Sequence, residues 1–265
     1  MKSWRRVDWV TGSLATIATL FITLPIFALL QKVSWRHFYS GISSNDSLSA
    51  IFLTVWSSLL STAVTILLGV PLGWYLAKGD ARVTRLIRPL VLAPIVLPPT
   101  VAGLALLTLL GRNGLLGHTL YRITGWAAPF TPVAVVIAGI FVGLPFLTLI
   151  VESGFRKLSP DIEDAATIDR ASNFHLFALI ALPQSRNIIA TGAVLAWARC
   201  IGEFGATMMF AGSLPGLTQT WSMQVYQQVE VNPESAYALS AVMIFIAIGV
   251  IYMLRNQLRE AFARN

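Results

Sequence analysis

The sequence is poor in charge and in cysteine. Charged residues make up 12% of 265 residues, hydrophobic residues make up 55%, and the one cysteine is Cys200. A single thiol excludes an intrachain disulfide and a cysteine cluster for a metal, so we expect Cys200 to be a small buried apolar residue. So low a charge content is far from the composition of a soluble domain.

Motifs for phosphate binding and hydrolysis are also missing. The sequence contains no Gly-x-x-x-x-Gly-Lys-Ser/Thr phosphate loop and no His-Glu-x-x-His pair, and His37, His118 and His175 are isolated in predicted loops. No set of residues indicates a nucleophile with its base. We therefore predict no catalytic residue, no metal site and no cofactor, and we expect that the protein does not hydrolyse ATP itself.

Long hydrophobic runs account for most of the chain. A helix that crosses a bilayer needs about 20 mostly apolar residues. Six runs meet this requirement, at residues 10–30, 51–77, 86–110, 132–151, 188–211 and 236–254. The first run is long and lacks a small-residue cleavage site, so we interpret it as a helix rather than a signal peptide. The sequence predicts an all-α integral membrane protein with six transmembrane helices in a single domain, residues 1–265.

Lysine and arginine are concentrated on one side of this arrangement. Both termini, the connection between the second and third runs, and the region around residues 156–186 carry 14 of them, against 4 on the other side. The positive-inside rule then predicts a multi-pass protein of the cytoplasmic membrane with both termini and residues 158–186 in the cytoplasm. The charges suit contact with anionic lipid, and their dispersal gives no basic stripe for nucleic acid.

A polar stretch at residues 158–186 separates the fourth run from the fifth. It begins Ser159-Pro160-Asp161, in which serine can cap a helix, proline suits the first helical position and aspartate meets the positive end of the helix dipole. A helix-turn-helix of this size cannot bury a core alone. The stretch therefore indicates a segment that docks in the groove of another protein, with an ordinary connection between membrane helices as the alternative.

This stretch resembles the ATPase-docking loop of ABC-transporter permeases, whose pattern is Glu-Ala-Ala, three residues, Gly-Ala, then Phe, then Leu-Pro. The corresponding residues here are Asp164, Ala165, Ala166, Arg170, Ala171, Phe177 and Pro183. Asp164 stands where the family usually has glutamate, and Arg170 stands where it has glycine. Arginine there costs roughly 1 kcal/mol if φ is positive. The resemblance implies that these residues dock on a separate ATPase subunit.

Prolines interrupt the third hydrophobic run. Pro94, Pro98 and Pro99 fall at membrane depth, where unwound backbone must be buried in protein or line a cavity. Broken helices of this kind often carry substrate sites and gates, so we predict a discontinuous helix, with a merely bent helix as the alternative. This run, and the later residues 198–207 and 212–220, resemble permeases for molybdate, tungstate and sulfate, and molybdate permeases most closely.

Arg199 and Glu203 are the only two charges that we place well inside a predicted span. They are four residues apart, so they share a helix face and can pair. One interpretation is a self-neutralising structural pair. The other is that Arg199 contributes positive potential to an anion pathway and Glu203 holds it in place.

The resemblance spans about residues 49–255 and implies the membrane subunit of a type I ABC importer for molybdate. Tungstate or sulfate/thiosulfate is the alternative substrate within the family, and an ion-coupled secondary transporter is the alternative of another class. The implied partners are a second copy of the chain, two ATP-binding cassette ATPase subunits and an external oxyanion-binding protein. The candidate pathway residues are Pro98, Pro99, Thr100, Arg199, Glu203 and Thr207.

Overall fold

The computed structural model describes residues 8–159 and 172–263, with the side chains of residues 8–159 and 172–252. All regular elements in these ranges are helical. They are α1 (Trp9–Gln31), α2 (Phe38–Ile42), α3 (Asn45–Lys78), α4 (Ala81–Val96), α5 (Pro99–Leu110), α6 (Gly117–Thr124), α7 (Pro132–Arg156), α8 (Asn173–His175), α9 (Leu182–Gln184), α10 (Arg186–Ile201), α11 (Gly205–Ala211), α12 (Trp221–Val231) and α13 (Pro233–Ala263). A π-helix, Leu176–Ala181, joins α8 to α9.

Four of these helices are long and apolar enough to cross a membrane, namely α1, α3, α7 and α13. Two further spans are bent pairs, in which α4 and α5 differ in direction by 119° and α10 and α11 by 60°. Counting each pair as one span gives six. The prediction of an all-α membrane bundle with six spans is confirmed, and two of the spans are broken.

The first break follows from proline chemistry. Leu97 and Pro98 each precede a proline and adopt ψ values of 134° and 135°, because the α conformation is disfavoured before proline. Pro99 then starts α5 at a position where its missing N–H costs nothing. The discontinuity predicted from the prolines is therefore confirmed, but α4 begins at residue 81, earlier than the hydrophobic run.

Other boundaries also differ from the expectations. The second span begins before residue 51, since α3 starts at Asn45, where the Ser44 side chain accepts a hydrogen bond from Ser47 N, and the short helix α2 precedes it. The fourth span extends beyond residue 151, so that Glu152 belongs to α7. Glycines and small residues permit this close packing: a Cβ on Gly73 of α3 would lie 3.2 Å from the Glu152 nitrogen.

The interior consists of two apolar clusters along the α3–α7 pair. One contains Phe210 of α11 with small residues of α5 and α7, and the other contains Leu147 and Phe155 of α7. By contrast, α1 has no buried residue and packs only against α13 among the larger contacts. The α1 surface is therefore left for lipid or a partner. Because both apolar clusters lie along α3 and α7, this pair of helices is the scaffold for the remaining elements.

Candidate translocation and docking sites

The second halves of the two broken spans pack directly against each other. A Cβ on Gly103 of α5 would lie 2.5 Å from the Ala206 oxygen of α11, and one on Gly205 would lie 2.6 Å from Pro99 Cβ. Real Cβ atoms do not approach so closely, so this crossing requires glycine on both helices. The predicted pathway residue Pro99 thus lies at the contact between the two breaks.

Glu203 organises the second break. Its Oε2 accepts a hydrogen bond from Arg199 Nη1 at 2.6 Å, and its Oε1 accepts one from Ala206 N at 2.7 Å, so it caps α11. Its backbone oxygen accepts from Ser222 Oγ of α12 at 2.8 Å. The carboxylate is 3% exposed and both of its oxygens are used. The predicted pairing of Arg199 with Glu203 is therefore present in the structure.

Arg199 is less enclosed than its partner. Its side chain is 31% exposed, and only Nη1 has a hydrogen-bond partner among the described residues. A guanidinium has five N–H donors, so most of them remain available. Arg199 pairs with Glu203, Glu203 caps α11, and α11 contacts Pro99. The Arg199 guanidinium is therefore connected to the first break through α11.

The other candidate pathway residues differ in exposure. Pro98, Pro99 and Thr100 are exposed at the start of α5, whereas Glu203 and Thr207 are buried. The two buried residues line a cavity of about 10 Å³ between α3, α7, α10 and α11, which is room for about one water molecule. This cavity cannot contain a tetrahedral oxyanion.

A stripe of hydroxyl side chains on α3 lines the same cavity and was missed in the sequence analysis. Ser61 Oγ donates to Val136 O at 2.9 Å, Ser58 Oγ accepts from Trp197 Nε1 at 3.0 Å, and Thr54 Oγ1 accepts from Trp221 N at 2.8 Å. The hydroxyls are spaced three and four residues apart, a pattern visible in the sequence. Because they are engaged with neighbouring helices, the stripe is a packing device and not an anion site.

The single cysteine lies where a small apolar residue was expected. Cys200 is 7% exposed, and its Sγ contacts the Gly139 oxygen at 3.1 Å. A Cβ on Gly143 would lie 2.9 Å from the same sulfur. The side chain thus fills the tight joint between α10 and α7, and the interpretation as a buried structural thiol is confirmed.

The predicted docking loop falls partly outside the described residues. Asp164, Ala165, Ala166, Arg170 and Ala171 lie outside them. Among the described residues, Ser172 caps α8, with its Oγ accepting from His175 N at 3.3 Å, and Pro183 is exposed in α9.

Phe177 connects the docking loop to the bundle. Its ring lies 5.7 Å from that of Trp74 on α3 and 6.2 Å from that of Phe155 on α7. Trp74 and Phe155 are themselves in edge contact at 5.1 Å. Each such pair contributes about 0.5–1.5 kcal/mol beyond its buried area. The three rings therefore attach the segment after residue 172 to both helices of the scaffold.

A buried carboxylate on α7 was also missed, and it corrects the statement that Arg199 and Glu203 are the only charges inside a span. The Glu152 side chain is 0% exposed and forms ion pairs with Arg156 at 2.9 Å and Arg88 at 3.4 Å. Apart from it and Glu203, no acidic side chain is buried among the described residues. No group of three or more His, Cys, Asp or Glu residues suited to a metal occurs in the same part of the chain.

Two broken membrane helices therefore cross on glycines beside a scaffold of α3 and α7. The chain matches the family of binding-protein-dependent transport system inner membrane components over residues 69–264, and it belongs to that family. It is accordingly a permease subunit of an ABC importer rather than an ion-coupled secondary transporter. In such importers ATP hydrolysis belongs to separate subunits.

Similar proteins agree with this assignment. The molybdenum transport system permease protein ModB of Mycobacterium tuberculosis is 38% identical over 237 residues, covering 89% of each chain. The sulfate transport system permease protein CysT of Escherichia coli is 26% identical and covers 100% of this chain and 97% of its own. The crystal structure of a bacterial alginate ABC transporter with its periplasmic protein contains a chain of the same fold, with a TM-score of 0.71 at 18% identity, covering 94% of this chain and 95% of that one.

Proposed function

We propose that this chain is the membrane permease of an ATP-driven importer that translocates molybdate. The substrate assignment rests on the 38% identity to a molybdenum transport permease over 89% of both chains. The sulfate relative of Escherichia coli is less similar, at 26% identity. Molybdate and sulfate are both tetrahedral dianions, so the same class of pathway serves either, and an external binding protein supplies most of the discrimination.

A second copy of the chain completes the pathway in this proposal. The cavity beside Glu203 has room for about one water, so the anion must pass along a surface rather than through the interior of one chain. The outer face of α5 offers a groove of about 420 Å³ lined by Val101, Leu104 and Thr108 among others. Two such faces opposed around an axis would enclose a passage between two copies.

Arg199 is the residue proposed to attract the anion. Its side chain is 31% exposed, it has unused N–H donors, and its position is fixed by Glu203. A guanidinium in a site shielded from water interacts with an oxyanion more strongly than one in solution. The exposed start of α5 consists of Pro98, Pro99 and Thr100. Thr207 is buried and lines the small cavity beside Glu203.

Residues 158–186 are proposed to face the cytoplasm, as are both termini, and to dock on an ATPase subunit. Support comes from the excess of lysine and arginine on that side and from the attachment of Phe177 to Trp74 and Phe155. Movement of an ATPase would then reach α3 and α7 through this aromatic cluster. With one ATPase on each copy, the complex would alternate between outward and inward openings.

Uptake into liposomes tests the substrate. The complex is reconstituted with its ATPase and binding protein, and ATP-dependent molybdate uptake is measured with tungstate or sulfate as competitor. We expect uptake that tungstate suppresses and excess sulfate does not. Arg199→Gln should reduce uptake per assembled complex by about tenfold, the effect of losing a charge-assisted contact. Sulfate uptake without molybdate uptake would show that the substrate is wrong.

A further inference from the structure

Glu152 is a fully buried carboxylate four residues before the end of α7 and six residues before the docking loop at residues 158–186. Its Oε1 accepts hydrogen bonds from Arg156 Nε at 3.0 Å and Nη2 at 2.9 Å, and it lies 3.4 Å from Arg88 Nη2. Its Oε2 is also enclosed but has no hydrogen-bond partner among the residues that the structure describes. Oε1 therefore contacts two arginines, whereas Oε2 contacts no donor among the described residues.

The two arginines are held very differently. Arg156 is on the same helix as Glu152, makes two bonds to it, and also donates from Nη2 to Leu76 O of α3 at 3.0 Å. Arg88 reaches from α4 with a single contact of 3.4 Å, and its side chain is 46% exposed. Because Arg156 keeps the buried carboxylate neutralised, Arg88 can change position without leaving an isolated charge in the interior.

Helix α4 is free to make such a change. It has no buried residue, it packs mainly against α7, and it ends at the 119° break before α5. An enclosed carboxylate oxygen without a donor is unfavourable. Because the two oxygens belong to one carboxylate, a small shift of α4 relative to α7 would bring the Arg88 guanidinium from Oε1 to Oε2 and satisfy it.

We propose that Glu152 is a positioning residue for transport whose two oxygens define two positions of α4. In the position seen here Arg88 shares Oε1 with Arg156, and in the second position Arg88 binds Oε2. Because α4 leads into α5 through the break at Leu97, exchange between the two positions reorients the start of α5. This inference rests on the proposed transport function, since α5 forms the pathway only in that proposal.

A distance measurement between α4 and α7 tests the two positions. Arg82 on α4 and Ser153 on α7 are both exposed and take no part in the ion pairs, so they suit spin labels. The variant Arg82→Cys/Ser153→Cys is made in a Cys200→Ser background and purified with its ATPase. Double electron–electron resonance is recorded without nucleotide and with ATP plus vanadate. The labelled chain is assembled with an excess of unlabelled chain, so that each complex carries at most one pair of labels. We expect two distance populations whose ratio changes between these conditions.

Substitution of Arg88 then tests whether its contact with Glu152 determines the ratio of the two distance populations. Arg88→Gln should change the ratio of the two populations about two- to fivefold, the effect expected from a partly exposed ion pair, and Arg88→Lys should restore part of the original ratio. Arg85→Gln removes a neighbouring charge on α4 that has no ion pair with Glu152, and it should leave the distribution unchanged.

Two results would overturn the proposal. One is a single distance in the parent protein under both nucleotide conditions, and the other is an Arg88→Gln distribution identical to that of the parent. Molybdate uptake is measured on the same preparations. Two distances that respond to Arg88, together with absence of molybdate uptake, would support the positioning role of Glu152 and contradict the proposed substrate instead.

Discussion

The glycine contact between α5 and α11 provides the sharpest test of the fold at the two breaks. Gly103→Ala adds a Cβ that would lie 2.5 Å from the Ala206 oxygen, 2.7 Å from Met209 Cβ and 2.9 Å from Ala206 Cα. Two of these three atoms are backbone, so a side-chain rotation cannot relieve the clash. To restore an ordinary C···O distance of about 3.3 Å, the two half-helices must separate by about 0.8 Å.

Such a separation should be costly in both stability and transport. Overpacking of a close contact costs about 1–3 kcal/mol, which corresponds to a decrease in Tm of roughly 2–12 °C for a chain of this size. The α5–α11 contact also joins the two broken spans, so molybdate uptake per assembled complex should fall. Thermal unfolding of the purified complex in detergent measures the first effect, and liposome uptake measures the second.

A matched control is available on α13. A Cβ on Gly249 meets nothing within 4 Å, so Gly249→Ala makes the same chemical change in a helix without the clash. It should leave Tm unchanged or raise it slightly, because alanine is the better helix former. If Gly103→Ala and Gly249→Ala have the same Tm and the same uptake, the close crossing of α5 and α11 does not exist in the membrane.

Two further predictions concern the docking loop at residues 158–186. Ala166→Trp and Phe177→Ala should each reduce co-purification of the ATPase while the bundle stays assembled. Phe21→Ala, at a ring on α1 that is 79% exposed and lies outside the docking loop, should have little effect. Normal ATPase recovery with the first two variants would contradict the docking role. Ser172→Cys in a Cys200→Ser background should resist impermeant thiol reagents added to intact cells, and efficient labelling would reverse the proposed orientation.

Local sequence signals predicted the first break but not the course of the second. Consecutive prolines at residues 98 and 99 act on their own neighbours, so the interruption before α5 follows from covalent chemistry. The second break is assembled from tertiary contacts. Glu203 maintains it by pairing with Arg199 and capping α11. Hydropathy over residues 188–211 is continuous and therefore does not reveal it.

Glu152 shows the same limit more strongly. The hydrophobic run ends at residue 151, so the predicted span leaves out the carboxylate at residue 152. Its burial depends on Arg88, 64 residues earlier in the chain, and on the Leu76 carbonyl, which fixes Arg156. Spacing along one helix can predict the Glu152–Arg156 pair, but only the packing of α4 on α7 brings the second arginine.

The positions of these features divide the bundle into a fixed part and a movable part. Helices α3 and α7 are in close contact along their length, since a Cβ on Gly69 would lie 2.9 Å from Leu147 and one on Gly139 would lie 2.5 Å from Ser61. Phe177 attaches the docking segment to this pair. In contrast, α4 has no buried residue, and it packs on α7 with the exposed Arg88 side chain directed to Glu152. In the proposed complex, a force applied at the docking loop would therefore act first on the α3–α7 scaffold, and α4, which has no buried residue, is the helix at its side with most freedom to respond.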